Sequence, residues 1–278
     1  MDELQLIREL GDEIPLATAE ELAPARARLL AARRPRRAKR YTVYGGAVIG
    51  MAAAIFAAFT LITPEENNTA TADPIQVLRN ASAAALQAYD ITPAPNQYLY
   101  TKVQEPDGAR EMWASIDGTH DGLILMPDPM LIPGCRDGRK AVVKGKEPLP
   151  GETEKCVPDP AYRPDLPKDV DGMVGYLKAN NGDSINSIGK DISWLLQSTV
   201  MAPESRAALF GAVSKIPGLR AVTGVKDAVG RRGIQIEWKT DVHSGSFIVD
   251  AKSYQYLGYR TAVALVNYAI VDKVGQRP

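Results

Sequence analysis

Twenty-three consecutive uncharged residues, YTVYGGAVIGMAAAIFAAFTLIT at 41–63, follow directly on RRPRRAKR at 33–40, a run with six cations. This pairing constrains the chain more than any other feature. As a helix the uncharged stretch is roughly 34 Å long at 1.5 Å per residue, slightly more than a hydrocarbon core of about 30 Å. Tyr41 and Tyr44 stand at its start, where an interfacial aromatic is comfortable. A buried helix of a soluble protein is the competing reading, but such helices seldom run this long uncharged behind clustered cations. The expectation is a single transmembrane helix.

Its direction follows from the flanks. Arg33, Arg34, Arg36, Arg37, Lys39 and Arg40 precede the span and Pro64-Glu65-Glu66 follow it. The positive-inside rule then places the N-terminus in the cytoplasm and residues 64–278 outside, in a protein of the cell membrane. Ala70-Thr71-Ala72 mimics a signal-peptidase site, but 40 residues precede the apolar stretch, which also exceeds a usual h-region. A retained anchor is therefore expected. Gly46, Gly50, Ala54 and Ala58 line one face of the span, which suits weak self-association.

The charge is divided the same way. The 33 basic and 33 acidic residues cancel over the whole chain, so no domain-wide cation excess is on hand for nucleic acid. Residues 1–32 carry seven acids and three bases. They read as two short helices, one with Leu4, Ile7 and Leu10 on one side, the other opened by a capping box from Thr18 to Glu21. With the basic run they form a cytoplasmic tail over 1–40. Leu22 and Leu29 are the candidate residues for docking a cytoplasmic regulatory protein; a solvated membrane-proximal helix without a partner is the alternative.

Residues 64–73 read as a polar linker and 74–278 as one extracytoplasmic domain. Asp73-Pro74 opens a helix whose inner face is traced by Ile75, Leu78, Ser82 and Ala85/Leu86. QYLYTKV and REMWASIDG read as adjacent strands joined by a turn at Pro106-Asp107-Gly108. Residues 127–169 are rich in Pro and Gly with little regular pattern. Helical periodicity returns at 170–178, 187–199 and 203–216, and GIQIEWK, SFIVD, YQYLGYRTA and NYAIVDKV read as closing strands. The fold class is α+β: helices packed on a curved antiparallel sheet of six or seven strands.

Cys135 and Cys156 are the only cysteines, both outside the expected membrane. In an oxidising compartment they are expected to form a disulfide; two free buried thiols are the alternative. Two cysteines make half a tetrahedral zinc site, and neither His120 nor His243 is near them in sequence, so no metal site is assigned. No H-E-x-x-H, G-x-S-x-G or glycine-rich phosphate cradle occurs, and the reading assigns no enzyme activity, catalytic residue or cofactor. The densest polar feature is Asp227-Ala228-Val229-Gly230-Arg231-Arg232-Gly233. A charged hairpin turn with glycines supplying positive φ accounts for it; a binding site is the other reading.

Several segments in this order carry a resemblance: MDELQLIREL, ELAPARARLL, the basic run before one span, PESRAALFGAVSKIPGL, VKDAVGRRGIQI and VDKVGQRP. Together with the QYLYTKV and REMWASIDG strands, they resemble the actinobacterial CU044_5270 family of single-pass membrane proteins. Members are often encoded beside extracytoplasmic-function sigma factors, which implies a part in transmembrane regulation. The outer domain is also broadly similar to the curved-sheet, lipoprotein-carrier-like domains of sigma-factor regulators. The tail departs from the zinc-containing anti-sigma pattern, having neither His nor Cys. The resemblance implies a membrane-anchored sensor or regulator whose outer domain binds a ligand or protein. The alternative is a tethered carrier or chaperone for an apolar cell-envelope molecule.

Overall fold

The computed structural model describes residues 70–239 and 244–278. The tail with Leu22 and Leu29, the 41–63 stretch and His243 lie outside the described residues. Among those described, no helix is long and apolar enough to cross a membrane.

The described chain is α+β, with four helices and antiparallel sheets. In chain order the elements are β1 (Thr71–Ala72), α1 (Pro74–Leu86), β2 (Tyr98–Glu105), β3 (Gly108–Ser115), β4 (Gly122–Met126), β5 (Asp128–Ile132), β6 (Arg139–Lys144) and β7 (Glu147–Lys155). Then come α2 (Val170–Asn181), α3 (Ile185–Ser198), α4 (Pro203–Val213), β8 (Arg220–Lys226), β9 (Arg232–Lys239), β10 (Ser244–Asp250), β11 (Tyr256–Gly258) and β12 (Ala264–Val271). One five-stranded sheet runs β1-β8-β9-β10-β11, a second runs β12-β2-β3-β4-β5, and β6 and β7 form a separate hairpin. The expected single sheet of six or seven strands is, among the described residues, twelve strands in two five-stranded sheets and a hairpin. The stretch expected to be irregular at 127–169 holds three of them, and Thr71–Ala72, at the end of the expected linker, pair with Val222 and Ala221 of β8.

Local chemistry sets the helix starts. Asp73 accepts a hydrogen bond from Ile75 N at 2.9 Å ahead of Pro74, Asp169 accepts from Gly172 N at 2.8 Å, and Ser184 accepts from Ser187 N at 3.3 Å. The inner stripe of α1 is Val77, Leu78, Ala81 and Ala85, while Leu86 is 52% exposed, so the buried face is rotated from the expected one. Ser82 Oγ instead donates to Ala207 O of α4. Helix α4 is buried nearly all round because it lies against both α1 and α2.

The core between helices and sheets is filled. Phe247 of β10 has the rings of Phe210, Trp238 and Tyr256 within 6.2–6.3 Å of its own, and Ile192, Leu196 and Leu209 are fully buried beside them. Trp238 leaves no room above it: a Cβ at Gly189 of α3 would stand 2.2 Å from its ring. Glycine there lets the helix backbone close onto the sheet.

The outer face of the second sheet has its own small core of Tyr100, Trp113 and Val271. The residues after β12 cross it as a strap. Trp113 Nε1 donates to Gln276 O at 2.6 Å, and Arg277 lies 5.6 Å over the Trp113 ring while donating to Glu111 at 2.6 Å. Arg277 holds the Glu111 carboxyl below its usual range against the opposing effect of burial. Burial, with the Glu111 hydrogen bond, pushes the Tyr100 phenol up to about 12.

Candidate binding groove

A groove of about 500 Å³ opens between the inner face of the second sheet, α3 and the loop that returns from the β6–β7 hairpin. Strand alternation sends Met112 and Ala114 of β3, Ile124 of β4 and Ile132 of β5 to its floor. The α3 wall is a stripe at i, i+3 and i+7, Asp191, Trp194 and Ser198, beside the buried stripe of Ile188, Ile192 and Leu195. Trp194 is 53% exposed, and Val157 on the opposite wall is 85% exposed. Large apolar side chains thus stand open on both walls of one concavity.

The walls are stitched by backbone. Ala161 N and Tyr162 N donate to Ser115 O and Ile116 O at the end of β3, while Arg163 N and Val200 N exchange bonds with Val200 O and Ala161 O after α3. Gly118 has φ +74°, and a Cβ there would lie 2.6 Å from the backbone of Asp159, so only glycine lets the return loop seat this closely.

The Cys135–Cys156 disulfide is present, with Cα atoms 5.9 Å apart. It closes the base of the β6–β7 hairpin, where Cys156 N donates to Gly138 O and Cys135 N donates to Gly118 O, both at 2.9 Å. Cys135 also lines the groove, so the bond anchors one wall.

The charged groups around the groove are largely paired within the protein. Arg163 makes a two-pronged bond to Asp165 at 2.8 and 2.9 Å and lies 5.8 Å over Tyr176. That pairing lowers the Asp165 carboxyl against burial. Lys140 sits 3.3 Å from Glu154, and Asp191 accepts from Asn181 Nδ2 at 2.6 Å. His120 Nδ1 is 3.1 Å from Asp117 Oδ1 and 3.0 Å from Thr119 Oγ1. Burial opposes the charge of Asp117, but hydrogen bonds from Thr119, Ser115 and His120 outweigh it and bring the carboxyl down to about 2. The groove therefore offers an apolar floor and an aromatic wall, with Lys140 and Arg163 of its rim held in ion pairs within the protein. Among the described residues, no group of three or more His, Cys, Asp or Glu side chains could hold a metal ion.

The sequence reading paired Cys135 with Cys156 but kept His120 apart from them and singled out none of Trp194, Val157, Arg163 or Tyr176; the fold brings His120 and Cys135 to one lining. The Asp227–Gly233 segment is the turn between β8 and β9 with the first two residues of β9, away from the groove lining. Its buried Asp227 accepts from Val229 N, Arg231 N and Arg231 Nε, as a structural hairpin end.

Compared with known proteins, the chain matches no family model, no curated protein and no solved structure.

Proposed function

We propose that the protein is a single-pass, membrane-anchored regulator whose extracytoplasmic domain recognises a ligand or protein segment in the groove and whose tail contacts a cytoplasmic partner. The carrying observation is Trp194, more than half exposed on the wall of a concavity with an apolar floor. The disulfide supports an extracytoplasmic domain, because such bonds persist in oxidising compartments. The six cations before the 41–63 stretch support the orientation. The resemblance in sequence supports regulation beside a sigma factor, with residues 1–32 as the proposed inner contact.

The test compares two full-length variants in a strain lacking the gene. Trp194→Ala and deletion of residues 2–30 should each abolish complementation while the protein still reaches the membrane. A chain that works without its tail but not without Trp194 would instead be the tethered carrier.

A further inference from the structure

On the other flank of α3 lies a second cavity of about 300 Å³, bounded by α1, the start of α4, β11 and β12. Leu195 and Ser198 face the groove, whereas Leu196, Val200 and Met201 face this cavity. Its walls are aliphatic and aromatic, with Ala81, Ala85, Phe210 and Leu265 among them. At its mouth stand Tyr89, 94% exposed, and Ile91, 54% exposed.

Of the side chains lining this cavity, Arg206 alone carries a formal charge. Its guanidinium lies 5.8 Å over the Tyr268 ring, and no carboxylate among the described residues pairs with it. Glu204, the nearest acid in sequence, stands 3.9 Å from Lys168 instead. The α4 N-terminus begins beside Arg206 at Ala202, with no side-chain cap, and adds potential of the same sign. A half-buried cation beside an apolar cavity is compensated best by an anion that brings its own apolar body.

We infer that this cavity binds a single-chain amphiphile with an anionic head, the head at Arg206 and the chain among the apolar walls. At ~30 Å³ per group, the share of one water in the liquid, it takes roughly ten methylenes. A single chain of medium length matches that volume. The site is separate from the groove, and Trp194 takes no part in it.

The test uses the full chain in nanodiscs and a twelve-carbon carboxylate carrying a diazirine at its far end. After irradiation, adducts should fall on peptides spanning 81–91 or 254–268. Dodecanoate should compete at least tenfold better than dodecanol or dodecylamine. Each methylene removed from the competitor should weaken it by up to about fourfold. Dodecyl phosphate distinguishes the head: competition stronger than dodecanoate assigns a phosphate, weaker a carboxylate, and both keep the site anionic. Arg206→Gln should cut labelling about tenfold with unchanged thermal melting, and Trp194→Ala should leave labelling intact. Adducts scattered over the chain, or equal competition by the neutral and cationic chains, would overturn the site.

Discussion

Arg231 donates through Nε to the buried carboxylate of Asp227 at 2.7 Å, while its Nη2 reaches the carbonyls of Leu257 and Leu265 at 3.1 and 2.8 Å. One guanidinium thus ties the β8–β9 turn to β11 and β12, where the two five-stranded sheets adjoin. Asp227→Ala leaves that cation short of its charge partner and two turn N–H groups without an acceptor. Breaking a buried, hydrogen-bonded pair costs about 3 kcal/mol. For a domain of this size that lowers Tm by roughly 6–12 °C. Thermal denaturation of the single and double variants with Arg231→Ala checks this; the double should cost less than the sum of the two singles.

Gly189→Ala places a methyl group against the Trp238 ring, where a Cβ stands 2.2 Å away. Overpacking of this kind costs about 1–3 kcal/mol. The expected signature is a lower unfolding midpoint and altered Trp238 fluorescence. Gly175→Ala in α2, where a Cβ meets nothing within 4 Å, should be neutral to stabilising.

The strap over Trp113 is pH-dependent through Glu111. Its folded pKa lies below the usual carboxylate range, because Arg277 and Tyr100 bind the charged form. The stabilisation is therefore fully present above the unfolded pKa and is lost as pH falls through the lowered folded value. Hydrogen exchange of residues 272–278 should quicken across that acid window, and Arg277→Ala should produce the same release at neutral pH.

Several of these elements were legible in the residues themselves. QYLYTKV, REMWASIDG and GIQIEWK were legible as strands, although only β9 is buried on one face while β2 and β3 bury residues on both, and Pro203 and Asp73-Pro74 mark helix starts. The stretch 127–169 hid three strands for physical reasons. β5 and β7 contain prolines, and β7 is exposed along almost its whole length, so no period of two is written into it. The groove was hidden for a different reason. Its walls come from β3–β5, the return loop and α3, brought together only by the fold, and Trp194 beside Leu195-Leu196 reads as core until its exposure is known.

The disulfide closes a loop with a sequence separation of 21 residues, for which chain entropy gives about 3 kcal/mol. Cys135→Ser should therefore loosen the hairpin and the return loop first, with exchange rising over 134–163 while β9 and β10 stay protected. Because Cys135 lines the groove, binding there should weaken in parallel.

The most direct measurement puts a photocrosslinking residue at position 194 of the full-length protein in its own membranes. A matched chain carries it at Val229, which is 46% exposed in the β8–β9 turn. Irradiation should give one discrete adduct from position 194, none from 229, and loss of the adduct when Ser198→Trp fills the groove. Indistinguishable patterns from the two positions, or an adduct untouched by Ser198→Trp, would contradict recognition through this groove.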